Sequence, residues 1–143
     1  MPAASTQSAS VSASTGTPEE QYREAFGLLR KQDFPAAEQA LSSFVAQHPN
    51  DPLAGNAQYW LGETYYARAR YRDAAATFAD SYTNYPKGSK VSDSLLKLAR
   101  SLEAINEKEA ACTSYRTLLE EHQNARRKIL SLAEKSINDL SCP

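Results

Sequence analysis

The sequence predicts an all-α fold: a solenoid of three helix hairpins plus a C-terminal capping helix. Three observations lead to this prediction. Similar residues recur at a period of 37 along the chain, apolar residues within each period are spaced three and four apart, and no proline interrupts an apolar helical stripe. Hydrophobic residues make up 41% and charged residues 23% of the 143 residues, which suits one globular domain.

The first 17 residues are predicted to be a disordered linker. Twelve of them are Ser, Thr or Ala and none is charged, so the segment has too little apolar surface to offset its ordering entropy. It lacks the basic and apolar regions of a signal peptide. We expect either a cytoplasmic chain or, favoured by this composition, a fragment cut at a linker. Helix is predicted from residue 18, because Thr17 suits an N-cap, Pro18 the first helical position, and Glu20 completes a capping box.

Three units repeat from residue 18 onward, at about 18–50, 52–87 and 89–123. In each unit a small residue on the first helix and another on the second are placed where the two helices cross, because a larger side chain there would push the helices apart. Larger apolar residues fill the space beside them. The positions that recur at the 37-residue period are Ala25/Gly62/Ala99, Phe34/Tyr71/Lys108, Ala37/Ala74/Ala111 and Leu41/Phe78/Tyr115.

These units resemble the tetratricopeptide repeat, whose usual period is about 34 residues. The extra residues in each unit are expected to add a turn at the start of each first helix. Two positions depart from the family pattern: Gln123 replaces the closing proline of the third unit, and Trp60 lies two residues after the family's tryptophan position. The second unit carries the resemblance best, through Leu61, Gly62, Tyr65, Tyr71, Ala74, Phe78 and Pro86.

Residues 125–140 are predicted to form the capping helix. Its apolar stripe would cover the open end of the last repeat. Arg126, Arg127 and Lys128 lie at its start, where the helix dipole disfavours cations. They are interpreted either as a solvated helix start or as a small basic contact site. The stripe consists of Ile129, Leu132, Ala133, Ile137 and Leu140.

Two stretches carry a narrower resemblance: residues 56–63 (NAQYWLGE) and 85–98 (YPKGSKVSDSLLKL). They are similar to the C-terminal domain of the periplasmic Tol-Pal-associated cell division coordinator family, over about residues 18–140. The resemblance implies a periplasmic protein–protein interaction module of the Tol-Pal system, which coordinates peptidoglycan synthesis with outer-membrane constriction during cell division. The implied partners are TolA-like envelope proteins of that system and a peptidoglycan synthase.

Members of that family carry a signal peptide and an N-terminal trimerising coiled coil, and the sequence shows neither feature. Residues 1–17 contain no heptad pattern. We therefore expect this chain to be monomeric and the full-length parent to be trimeric through the coiled coil. An alternative function is that of a scaffold like the repeat-containing outer-membrane assembly lipoproteins, a family with a lipid-bearing N-terminal cysteine and more repeats.

The composition argues against catalysis and against several classes of partner. A net charge of −1 gives no electrostatic basis for binding nucleic acid, and no apolar stretch reaches the roughly 18 residues that would predict membrane insertion. His48 and His122 lie two repeats apart, too distant to share a metal ion, and no serine has a positioned base. We therefore predict no catalytic residues, no metal site and no cofactor.

The first helix of each tetratricopeptide unit lines a concave groove, so the resemblance implies a partner-binding site there. The groove is predicted to be aromatic at its N-terminal end and mixed in charge at its C-terminal end. An alternative interpretation of its tyrosines is that they pack between repeats. A helical or extended segment with apolar anchors is the expected ligand, because only Lys97 suits the clamp that other such domains use for a C-terminal carboxylate. The predicted groove residues are Tyr22, Phe26, Asn56, Tyr59, Glu63, Tyr66 and Arg100.

Cys112 and Cys142 are predicted to form a disulfide. Cys112 lies near the start of the second helix of the third unit, and Cys142 lies just past the capping helix. Because consecutive helices joined by a short turn run antiparallel, both sulfurs should reach the same end of the solenoid. The periplasm that the resemblance implies permits the bond. The alternative is a buried thiol at Cys112 and a frayed terminal Cys142.

Overall fold

The computed structural model describes residues 16–143, so the predicted linker lies outside the described residues except for Gly16 and Thr17. Residues 16–143 form seven α-helices and no β-strand. None of these helices is long and apolar enough to cross a membrane. The helices are α1 (Pro18–Arg30), α2 (Phe34–Gln47), α3 (Ala54–Ala67), α4 (Tyr71–Asn84), α5 (Val91–Ala104), α6 (Lys108–Glu121) and α7 (Arg127–Leu140).

The helices are arranged as three hairpins in a row, with one helix closing the end. Each helix packs against the next helix in the chain. The first helices of successive hairpins also touch, α1 with α3 and α3 with α5, and α7 contacts both α5 and α6. The predicted all-α solenoid with a C-terminal capping helix is therefore confirmed.

The start of α1 is closed by the predicted capping box. The Glu20 backbone N–H donates to Thr17 Oγ1 at 3.1 Å, and the Thr17 N–H donates to Glu20 Oε1 at 2.9 Å. At the start of α2, Asp33 Oδ1 accepts a longer hydrogen bond from the Ala36 N–H, at 3.4 Å. These side chains satisfy N–H groups that have no partner within the helix.

Each hairpin turns through one residue in the left-handed region, and none of these residues is glycine. They are Gln32, Ala69 and Asn106, with φ of 63°, 61° and 63°, and they lie 37 residues apart. The residue after each one donates its backbone N–H to the carbonyl five residues earlier, and the three bonds measure 2.9–3.0 Å. The 37-residue period therefore extends to the backbone conformation.

The extra residues of each unit lie in the connections between hairpins. Helices α2 to α7 all have 14 residues, so the first helices are no longer than the second helices. Residues 48–53 and 85–90 instead form successive turns, closed by backbone hydrogen bonds such as Asp51 N–H to His48 O at 3.1 Å. The prediction of an additional turn at the start of each first helix is therefore wrong.

The second hairpin shows why a small residue is needed at the helix crossing. A Cβ placed on Gly62 would lie 2.6–2.8 Å from three carbon atoms of the Phe78 ring. That ring is fully buried, so it has no free space into which to move. Gly27, on α1, has no atom within 4 Å of the equivalent added Cβ. Glycine at position 62 is thus required by packing, whereas glycine at position 27 is not.

The capping helix is held by apolar packing and by the predicted disulfide. Ile129 and Ala133 are buried against the last hairpin, in a cluster that includes Tyr115. Cys112 and Cys142 are bonded, with their Cα atoms 5.7 Å apart, within the usual range for a disulfide. The bond joins the start of α6 to the end of α7 and so confirms the expected antiparallel arrangement.

Replacing Gly62 with alanine should destabilise the protein by about 1–3 kcal/mol, because the added methyl overlaps the Phe78 ring and forces the core to shift. The matched control is Gly27→Ala, which adds the same methyl where no atom opposes it and should stabilise the fold by up to about 1 kcal/mol through helix propensity. Urea denaturation followed by circular dichroism measures both effects. Equal stability of the two variants would contradict the packing argument.

Reduction of the disulfide should lower the free energy of unfolding by about 3–4 kcal/mol. The loop of 30 residues that the bond closes between Cys112 and Cys142 would then no longer restrict the unfolded chain. The measurement is urea denaturation with and without dithiothreitol. A double variant, Cys112→Ala with Cys142→Ser, should already have the lower stability and should not respond to dithiothreitol. Unchanged stability of the parent chain on reduction would show that the bond contributes nothing.

Candidate functional site

The candidate site is the surface of α1, α3 and α5 where their side chains meet across the hairpins, together with Lys90 just before α5. We call it the first-helix face. Two contacts define how it is assembled: Phe26 of α1 meets Trp60 of α3, and Glu63 of α3 meets Lys97 of α5. The face therefore runs continuously from the first hairpin to the third.

The N-terminal end of the first-helix face is a row of aromatic rings. Tyr22 and Phe26 are stacked with their ring centres 6.2 Å apart, and Phe26 meets Trp60 edge-on at 5.2 Å. All three rings are half-buried. Burial raises the pKa of Tyr22, and hydrogen bonds with Asn56 and Trp60 oppose that shift. The result is an apolar surface that is only partly covered by the protein itself, as predicted for this end.

Tyr59 lies in the core and not on the open part of this face. Its side chain is only 5% exposed, and its ring contacts Trp60 at 4.9 Å and Phe78 at 5.6 Å. Its hydroxyl donates to Glu63 Oε2 at 2.9 Å. Burial and, after it, the charge of Glu63 raise the pKa of Tyr59 far above its usual value. Tyr59 is thus not an open groove residue, and these ring contacts lie within its own hairpin.

The middle of the first-helix face is an ion pair covered by an aromatic ring. Lys97 Nζ lies 3.0 Å from Glu63 Oε1 and 4.1 Å from the centre of the Tyr66 ring. Glu63 therefore accepts a hydrogen bond from the Tyr59 hydroxyl and pairs with the Lys97 ammonium at the same time. These contacts hold α3 and α5 together and leave little of the Glu63 charge for an external partner.

Lys90 sits over the aromatic row just before α5. Its ammonium lies 5.2 Å from the Tyr59 ring centre and 5.1 Å from that of Trp60, a distance typical of cation–π contacts. No carboxylate among residues 16–143 pairs with it. Asp93, one helical turn further on, pairs instead with Arg126 at 2.9 Å.

The C-terminal end of the face is an open cleft of about 350 Å³. Within residues 16–143 its cation, Arg100, has no carboxylate within 4 Å. The acid of the same cleft, Glu103, accepts a hydrogen bond of 2.7 Å from the Tyr115 hydroxyl. The cleft is lined by Tyr66, Arg100, Glu103, Ala104 and Ser136.

No group of three or more His, Cys, Asp or Glu side chains in the described part of the chain could hold a metal ion. His48 Nε2 is hydrogen-bonded to the side chain of Gln21 at 2.9 Å. His122 lies beside the Tyr82 ring, with ring centres 6.1 Å apart. Both histidines directly follow a second helix, at repeat-equivalent positions.

Most of the predicted groove residues lie on one surface, and the predicted set left out three contributors: Trp60, Lys97 and Lys90. Trp60 and Lys97 are repeat-equivalent, 37 residues apart, and this spacing was the available signal that both belong to the first-helix face. Lys90 precedes its helix, so no helical periodicity could have found it. The predicted residues that are half-buried on this face are Tyr22, Phe26, Asn56, Glu63, Tyr66 and Arg100.

Two tetratricopeptide repeat family models match the chain, one over residues 22–89 and the other over residues 93–125. The chain belongs to the tetratricopeptide repeat family. Two proteins of Pseudomonas putida, each described as "Cell division coordinator CpoB", are 49% identical to it over 47 residues. That segment is 33% of this chain and 18% of each relative. The chain thus matches less than a fifth of the length of these curated relatives.

Replacing Tyr59 with alanine should lower stability by about 3 kcal/mol or more, because it removes a buried ring from a tetratricopeptide core. Tyr59→Phe keeps the ring and loses only the hydrogen bond to Glu63, so its cost should be about 1 kcal/mol. Urea denaturation compares the two variants. If Tyr59→Ala lowers the free energy of unfolding no more than Tyr59→Phe does, the ring does not contribute to the core as described.

Proposed function

We propose that this chain is a protein–protein interaction module of the cell division coordinator type. It acts in the periplasm with the Tol-Pal system and couples peptidoglycan synthesis to outer-membrane constriction. Support for the biological role comes from the 49% identical segment shared with the two coordinator proteins. The tetratricopeptide repeats support a role in binding proteins without catalysis.

The observation that carries the binding role is the half-buried aromatic row. Phe26 and Trp60 meet across the seam between the first two hairpins, yet both retain exposed surface. Aromatic rings of this kind supply most of the energy in protein interfaces, because they bury a large area and lose little conformational entropy. A partner segment with an apolar residue would complete the coverage of these rings.

The proposed partners are TolA-like envelope proteins of the Tol-Pal system and a peptidoglycan synthase. The proposed periplasmic location fits the disulfide between Cys112 and Cys142, since disulfides persist in oxidising compartments and are rare in the cytosol. The bond fastens the capping helix, so the interaction module would be most stable in the compartment where its partners reside.

Binding to these partners should depend on the aromatic row. The purified chain is titrated with the periplasmic part of the TolA-like protein and, separately, with the peptidoglycan synthase of the same organism. Phe26→Ala and Trp60→Ala should each weaken binding by about 1–3 kcal/mol, because a packed anchor is lost.

The matched control is Tyr82→Ala, which truncates a half-buried tyrosine on the second helix α4, beside His122 and away from this surface. It should leave affinity unchanged. Circular dichroism checks that every variant is folded. Absence of binding to both proteins would reject the proposed function, and full affinity of the folded Phe26 and Trp60 variants would reject the aromatic row as its site.

A further inference from the structure

Among the described residues, the carboxylates of α3 and α5 have partners within the protein, whereas not all of the cations do. The segments 54–67 and 90–104 contain three carboxylates and three cations. Every carboxylate already has a partner within the described residues: Glu63 has Lys97 and Tyr59, Asp93 has Arg126, and Glu103 has the Tyr115 hydroxyl. An external basic segment would find no free acid on this part of the first-helix face.

Two cations in the same segments have no carboxylate partner among residues 16–143. The Lys90 ammonium lies over the rings of Tyr59 and Trp60, and Arg100 lines the cleft at the other end of α5. An arginine side chain offers five N–H donors in a planar fork that matches a carboxylate. Both cations are half-buried, so pairing with an incoming carboxylate would be screened less than at a fully exposed site.

We infer that the first-helix face binds an acidic segment of a partner protein that carries an apolar anchor. The apolar residue covers Trp60 and Phe26, and one carboxylate beside it meets Lys90. A second carboxylate reaches Arg100 in the cleft. This inference rests on the proposed function, because it names the chemistry of the segment that the same site recognises.

The distance between the two cations sets the spacing of the two acids. Lys90 is the N-cap of α5 and Arg100 follows ten residues later, so their backbone positions are about 15 Å apart along the helix axis. An extended chain advances about 3.3 Å per residue, so the two acids should be about four or five residues apart. The first fifteen residues of this chain contain no Asp or Glu and therefore cannot supply the segment.

A direct test uses Trp60, the only tryptophan of the chain, as a fluorescent reporter. The probe is a short peptide of serine and alanine with one phenylalanine, a glutamate next to it, and a second glutamate about five residues further on. It should change Trp60 fluorescence saturably, and raising the salt concentration should weaken the binding. The same peptide with lysine in place of both glutamates should bind at least about tenfold more weakly.

The variants Lys90→Gln and Arg100→Gln should each weaken binding of the acidic peptide about tenfold, since each removes one charge-assisted contact. Arg72→Gln is the matched control, because Arg72 is an exposed cation of the second helix α4 without an ion pair in the described chain. A charge exchange is the sharpest test: Lys90→Glu with Arg100→Glu should reverse the preference between the acidic and the lysine peptide. Equal binding of both peptides to the parent chain would overturn the inference.

The outcomes separate this inference from the proposed function. If the TolA-like protein binds through Phe26 and Trp60 but is unaffected by changes at Lys90 and Arg100, the function stands and the acidic segment is wrong. If the acidic peptide binds as expected but neither envelope protein does, the recognition chemistry stands and the proposed function is wrong. Light scattering that shows dimers dissociated by Lys90→Gln would identify a second copy as the occupant and would also overturn the inference.

Discussion

The close crossing of two helices within each hairpin is the constraint on which the rest of the structure depends. In the second hairpin it is set by Gly62 of α3 against the buried Phe78 ring of α4. This contact fixes how α3 lies on α4. Because α1 and α5 both pack beside α3, the same contact also positions Phe26 against Trp60 and Lys97 against Glu63.

The hairpin turns show a backbone cost that the repeat tolerates. Gln32, Ala69 and Asn106 adopt a left-handed conformation, which costs a residue with a Cβ roughly 1–2 kcal/mol. The same hydrogen bond to the carbonyl five residues earlier closes all three turns. Glycine, and less often asparagine, is the usual residue at such positions, so residue type did not mark Gln32 or Ala69 as left-handed.

The fold was predictable because the information that specifies it is local and repeated. Apolar spacing within each hairpin sets the helices, and antiparallel packing of consecutive helices brings Cys112 to Cys142. The candidate site was less predictable, because adjacent residues on a helix point about 100° apart and small rotations decide which one is covered. Tyr59 and Trp60 are both aromatic neighbours on α3, yet the first is buried and the second half-buried.

Charge on the first-helix face is a second property that only the folded chain determines. Counted along the sequence, Lys97 and Arg100 are equivalent basic residues of one helix. In the fold, Lys97 is neutralised by Glu63 and covered by Tyr66, whereas Arg100 lines a cleft and has no carboxylate within 4 Å among the described residues. The packing of α3 against α5 thus neutralises Lys97 and leaves Arg100 without an ion pair in the described chain. The electrostatic character of the face therefore follows from this packing and not from the net charge of −1.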